Sequence, residues 1–325
     1  MKFAGIIAEY DPFHNGHAWQ LAQAKALGAE RVAVAMSCSL VQRGALPLLP
    51  EAVRTRSALT CGADLVFALP APCACAGAEA FARAGVALLA AAGCDGLVFG
   101  AETPDAALLM EAAELLDSDS YRAALKAQLA GGARSFAAAR QAAAAQLASD
   151  ERVAALLDKP NNNLAVEYCR AIRSLAPRME AYPLPRQGAN HGEALHSAHG
   201  QFASASALRK LWAEGGADAV APYVPEAVFP LYQEAYAAGQ YTDFSAAGRC
   251  ELALLRSACR GKPPFADIRG VSEGLEHRLE AAVRTSTTYD ELLDALTTVR
   301  YPRARMRRLA MDAALGCTAD SLPAL

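Results

Sequence analysis

The chain has 325 residues, of which 53% are hydrophobic and 20% charged, with a formal net charge of −3. That composition excludes a disordered chain, and the small charge excludes a global field that would gather nucleic acid, so any RNA contact must be a local patch. Its nine cysteines are odd in number and contain no C-x-x-C pair, which excludes a paired disulfide framework and points to free thiols in a reducing cytoplasm.

Phe3 to Glu9 is a short apolar run and reads as a buried strand, with no signal peptide before it. Gly16-His17 opens a helical pattern through about Ala26. Arg31 to Met36 reads as a second strand, Glu51 to Thr60 as a helix, and Leu65 to Leu69 as a third strand stopped by Pro70. Cys73 and Cys75 lack partners at ligand spacing, so no metal site is expected there. Ala76 to Ala92 is a long alanine-rich helix and Gly96 to Phe99 a fourth strand. This alternation argues for an α/β fold with a doubly wound parallel sheet, whose ligands bind at the carboxyl ends of the strands.

Pro104 to Leu156 reads as two or three inserted helices, Asn161 to Leu175 as another, and Met179 to Leu184 as a fifth strand. Gln187 to His199 reads as a mobile loop. A helix starts at Ser204 or Ser206 and runs to about Trp212. From Gly216 onward only helical patterns follow: Pro230 to Ala238, Ser245 to Arg260, Gly274 to Arg284, Thr288 to Val299 and Arg303 to Leu315. The expected division is a sheet domain over 1–212 and a smaller all-helical domain over 213–325. No apolar run reaches membrane-span length, so a soluble cytoplasmic protein is expected.

His14-Asn15-Gly16-His17 has the form H-x-G-H and sits between a strand and a helix. Two imidazoles at the mouth of the first strand can donate to phosphate oxygens, and the helix N-terminus adds free N–H groups and its dipole. Gly16 lets a nucleotide approach closely. Together they would stabilise charge on an α-phosphate as pyrophosphate leaves, with no covalent enzyme intermediate. A zinc site would need a third ligand, which the neighbourhood lacks. A second signal is Ser204, Ser206 and Arg209, a hydroxyl-rich helix start with a guanidinium one turn on, suited to β- and γ-phosphates. A plain serine cap with a solvated arginine accounts for it equally well. Gly100, Gln42-Arg43-Gly44 and Arg186 each follow a strand and suit the same cleft. Asn161 and Asn162 suit either a helix cap or a base or ribose contact. Arg300, Arg303, Arg305, Arg307 and Arg308, with Tyr301, form a basic cluster that reads as an RNA backbone contact or as a solvated helix face.

These residues resemble the bacterial tRNA(Met) cytidine acetate ligases, within the HxGH nucleotidyltransferase superfamily. The resemblance starts at Gly5-Ile6-Ile7-Ala8-Glu9-Tyr10-Asp11-Pro12-Phe13-His14-Asn15-Gly16-His17. It continues in order through Met36-Ser37, Val41-Gln42-Arg43-Gly44, Phe99-Gly100-Ala101-Glu102, Lys159-Pro160-Asn161-Asn162 and Arg186. Ser204-Ala205-Ser206 and the arginine-rich segment ending at Gly316 complete it. Asp11 stands where the family usually has Asn, Cys38 follows Ser37 where it has Gly, and Ala45 replaces a usual Glu. The resemblance implies that ATP, with Mg2+, activates acetate to acetyl-adenylate. The acetyl group would then pass to N4 of the wobble cytidine of elongator tRNA(Met). It also implies that ATP meets Ile7, Ala8, Glu9, Tyr10 and the rest of the stretch to Gln20, with Gly100, Asn161 or Asn162, and Arg186. Two other readings stand beside it: an adenylyltransferase joining AMP to a phosphorylated small molecule, and a nucleotide-binding protein without catalysis.

Overall fold

A computed structural model of the chain describes residues 1–133, 135–186, 195–197, 200–259 and 264–321. The first half alternates as β1 (Phe3–Ala8), α1 (Asn15–Ala26), β2 (Arg31–Ser37), α2 (Glu51–Thr60), β3 (Leu65–Leu69), a short α3 (Ala71–Ala74), α4 (Ala78–Ala91) and β4 (Gly96–Ala101). Four helices are then inserted, one more than the upper end of the expected range: α5 (Ala106–Asp117), α6 (Asp119–Ala130), α7 (Phe136–Leu147) and α8 (Glu151–Leu156). The chain returns through α9 (Pro160–Leu175) to β5 (Glu180–Pro185). The five strands form one parallel sheet in the order β3-β2-β1-β4-β5. The winding reverses between β1 and β4, and a crevice opens there at the carboxyl ends of the strands.

Alternation along each strand divides the core. Ala4, Ile6, Ala8, Val32, Val34 and Met36 face one side; Ile7, Ala33, Ala35, Leu97 and Phe99 face the other. Small residues set the spacing on the second side. A Cβ on Gly85 of α4 would lie 2.5 Å from Ile7 Cδ1, and one on Gly5 would lie 2.8 Å from Leu89 Cδ1. Only glycine lets α4 press this closely on β1.

Beyond β5, most of the Gln187–His199 stretch, His191 included, lies outside the described residues. Its described part corrects the expectation of a plain loop: β6 (Leu195–Ser197) pairs antiparallel with β7 (Gly200–Phe202). Next come α10 (Ala205–Val220) and α11 (Phe229–Ala237), then α12 (Phe244–Ala258), α13 (Leu275–Thr285), α14 (Tyr289–Leu296) and α15 (Arg303–Leu315). Leu208, Trp212, Val220, Val228 and Tyr232 pack in the same core as Ile6 and Val34, on the first face of the sheet. A separate core holds Leu252, Leu255, Leu279, Val283, Leu292 and Leu309. We therefore propose that the division of the chain lies just before α12 and not at residue 213. Arg269 ties the two parts, donating to Pro72 O at 2.5 Å and pairing with Asp312 at 2.5 Å.

Candidate active site

A cleft of about 360 Å³ opens over the carboxyl ends of β1 and β4. Ile7, Ala8, Glu9, Tyr10, His14, Gly16 and His17 form one wall. Gly100, Asn161, Arg186 and Ser204 stand around it, with Trp19, Phe81 and Tyr168 as aromatic lining.

The two histidines are held by the start of α1 itself. His14 is the N-cap, its Nδ1 accepting from Gly16 N at 3.0 Å, while His17 Nδ1 accepts from His14 N at 3.3 Å. This reciprocal pair is a capping box built from imidazoles. The rings stack with centroids 3.8 Å apart, and Tyr10 meets His17 edge-on at 4.8 Å. Since each Nδ1 accepts a hydrogen bond from a backbone N–H, each neutral ring carries its proton on Nε2. Desolvation, with Arg186 and Arg209 adding to it, pushes His14 down to about 3. His17 is pushed well below its ordinary value by desolvation, His14 and Arg186. Both rings are thus neutral donors at pH 7, with Nε2–H the polar edge left for the cleft. Gly16 is required by the same geometry, because a Cβ there would lie 2.9 Å from His14 Cε1.

The two asparagines separate. Asn161 lines the cleft and its Oδ1 accepts from Arg186 Nη1 at 2.7 Å. Asn162 is buried and committed to Thr103, accepting from its N at 3.0 Å and donating to its Oγ1 at 3.2 Å. That structural duty removes Asn162 from the cleft. Glu102, just past Gly100, takes the N–H groups of Asn161 and Asn162 at 3.3 and 2.7 Å and so caps α9 with a carboxylate.

Ser204 caps α10, accepting from Ala207 N at 3.3 Å, and lines the cleft. Ser206 is set against Ser204 Oγ at 3.0 Å and, like Arg209, stands outside the lining. Arg209 is held by Asp11, donating to its carbonyl at 2.5 Å. Asp11 is 1% exposed; its carboxylate also takes Leu48 N at 2.5 Å and Arg43 Nη2 at 2.5 Å. Glu9 accepts from Gln42 N at 2.5 Å, and burial raises its carboxyl despite Arg43. Arg54 was not expected at all. It is fully buried in α2 and donates to Leu49 O at 2.9 Å, Glu9 O at 2.7 Å, Ser37 O at 2.6 Å and Cys38 O. One guanidinium thereby pins the loops after β1 and β2.

The arginines of the cluster have different partners. Arg300 pairs with Glu273 at 2.6 Å, and Arg303 with Asp290 at 2.7 Å and with Asp294. Arg305 lies 5.0 Å over the Tyr301 ring. Arg308 turns towards the sheet unit, donating to Gln42 O at 3.4 Å. Arg307 makes no ion pair or hydrogen bond among the described residues.

Comparison with known proteins matches the whole chain, residues 1–325, to the HIGH Nucleotidyl Transferase family. The tRNA(Met) cytidine acetate ligase of Acetivibrio thermocellus is 33% identical over 336 residues, covering 100% of this chain and 80% of the relative. That of Syntrophotalea carbinolica is 36% identical, covering 96% and 73%. The apo crystal structure of Thermotoga maritima TmcAL superposes with a TM-score of 0.90 at 30% identity, covering 98% of this chain and 77% of that one. A second structure of that protein, bound with alpha-thio ATP, superposes at 0.88, covering 98% and 76%. The chain belongs to the HIGH nucleotidyl transferases and, within them, to the tRNA(Met) cytidine acetate ligase family.

Proposed function

We propose that this chain activates acetate with ATP and acetylates N4 of the wobble cytidine of elongator tRNA(Met). The observation that carries the reading is the pair of neutral imidazoles, His14 and His17, with both Nδ1 atoms committed to the start of α1. In the first step an acetate oxygen attacks the α-phosphorus and the bond to pyrophosphate breaks. Charge gathers on the α-phosphate oxygens, where the two Nε2–H groups donate and the dipole of α1 adds to them. In the second step the cytidine amine attacks the acetyl carbonyl of acetyl-adenylate, AMP leaves, and the amine loses a proton.

ATP spans the cleft in this reading, with Gly100 and Asn161 towards the nucleoside and Arg186 and Ser204 towards the phosphates. Mg2+ is proposed to travel on the phosphate oxygens alone. Of the two carboxylates lining the cleft, Glu9 is buried, which raises its carboxyl, and accepts from Gln42 N, and Asp11 is taken up by Arg43 and Arg209. Neither fits a metal ligand. The tRNA is proposed to contact Arg305 and Tyr301, a guanidinium and ring on the helical unit. Among the described residues no helix is long and apolar enough to cross a membrane, and the proposed tRNA substrate supports a cytoplasmic location. Acetate-dependent exchange of labelled pyrophosphate into ATP tests the first step. Exchange that instead requires a phosphorylated alcohol would replace this reading with an adenylyltransferase.

A further inference from the structure

The seam between the sheet unit and the helical unit gathers arginines from three distant stretches of chain. Asp11 Oδ2 lies 2.5 Å from Arg43 Nη2 and 3.4 Å from Arg209 Nη1, so one oxygen bridges two guanidiniums. The third comes from α15. A Cβ on Gly44, whose φ is +78°, would lie 2.6 Å from Arg308 N and 2.8 Å from Arg307 C. Only a glycine allows the Gln42–Gly44 loop to lie flat on this helix. Gln42 lines the nucleotide cleft, and its carbonyl accepts from Arg308 at 3.4 Å. The backbone of Gly44 thus lies against that of Arg307 and Arg308 beside that cleft, and Arg43 and Arg307 both act on the charge of Arg209.

The charges do not balance. Burial lowers Arg209 to about 10, and Arg43 and Arg307 push it the same way. Asp11 is the one carboxylate paired with this group among the described residues. Glu9 and Glu251, the other acids that face it, are both raised by burial. Arg307 is only partly exposed and makes no ion pair or hydrogen bond among the described residues. Holding a partly desolvated guanidinium unpaired beside two others costs free energy unless an anion joins them. The planar donor forks suit the oxygens of a phosphate.

We propose that Arg43, Arg209 and Arg307 form a phosphate-binding cluster at this seam, beside the cleft, with Arg307 supplied by the helical unit. It rests on the function proposed above only for the source of the phosphate, which is either the β,γ end of ATP or the backbone of the tRNA. The test is titration calorimetry of the full chain with inorganic pyrophosphate and with ATP, and a tRNA binding series in rising salt. The wild type, Arg307→Gln and Arg307→Lys are compared. For a nucleotide phosphate, Arg307→Gln weakens pyrophosphate and ATP about tenfold, and Arg307→Lys, which keeps the charge and loses the fork, weakens them less. For an RNA phosphate, both small ligands bind as before, while tRNA weakens and its log–log salt slope flattens by about 1. Either result supports the cluster and names the source. Unchanged binding of all three ligands overturns it. So does an equal loss in both variants accompanied by a fall in Tm, which would make Arg307 a structural residue. The pyrophosphate titration needs no turnover. A wild type that lacks acetate-dependent exchange would sink the proposed function and leave this result readable.

Discussion

Replacing Gly16 with alanine separates catalysis from stability in a way the structure makes calculable. The new Cβ would sit 2.9 Å from His14 Cε1 and 3.0 Å from its Nδ1, so the imidazole must rotate away. It then loses the hydrogen bond from Gly16 N and its stack on His17. Loss of the cap costs about 1 kcal/mol. Alanine in place of glycine within the helix returns about 1 kcal/mol. Stability should therefore barely change. Turnover should not escape, because an aimed charge-stabilising donor is worth about 100-fold or more in kcat. Acetate-dependent pyrophosphate exchange gives kcat and KM, and thermal melts give Tm. A Gly16→Ala protein that keeps wild-type kcat would refute the account of His14 as a positioned donor. A large fall in Tm would show that the offsetting of cap and propensity is wrong.

Four further outcomes are expected. His17→Ala should lower kcat by roughly 100-fold with KM for ATP little changed, measured in the same exchange assay; equal losses in affinity would make His17 a ground-state ligand. Both histidines are depressed in the fold, His14 to about 3, below the unfolded imidazole value of about 6.5. Their contribution to stability is complete above that value and is lost as pH falls from about 6.5 towards 3, so Tm should drop in that window and less steeply in His14→Gln. Over about pH 6 to 8, kcat should show no imidazole titration; an acidic limb that His14→Gln or His17→Gln abolishes would mean a charged ring. Arg54→Ala strands four carbonyls, each costing about 1–3 kcal/mol, and should destabilise the protein by at least about 3 kcal/mol in urea unfolding. A loss below about 1 kcal/mol would mean that the loops after β1 and β2 hold themselves.

His14, Gly16 and His17 could be read from the sequence because their context is local: a strand, a turn and a helix start within a few residues. The three central strands, β1, β2 and β4, were legible for the same reason, since buried parallel strands are short apolar runs between turn signals. Asp11 with Arg43 and Arg209 was not, because the partners come from distant segments that only the folded sheet brings together. Arg54 was hidden by its helix, where an arginine ordinarily faces solvent. The choice between Asn161 and Asn162 depended on Glu102 and Thr103, whose approach to α9 no spacing announces. The expected sheet domain stops at residue 212, within α10, so the second half of α10 and all of α11 fall in the expected helical domain, because only helical patterns follow Gly216. Nothing in their periodicity says that the surface they cover is the first face of the sheet.

The central claim is that this chain forms acetyl-adenylate and delivers the acetyl group to a tRNA cytidine. Its most direct test is incubation of the full chain with ATP, isotopically labelled acetate and elongator tRNA(Met), followed by digestion and mass spectrometry of the nucleosides. The account predicts labelled N4-acetylcytidine from the wobble position, dependent on ATP and formed roughly 100-fold more slowly with His17→Ala. Unmodified cytidine from a folded, ATP-binding wild-type protein would contradict it.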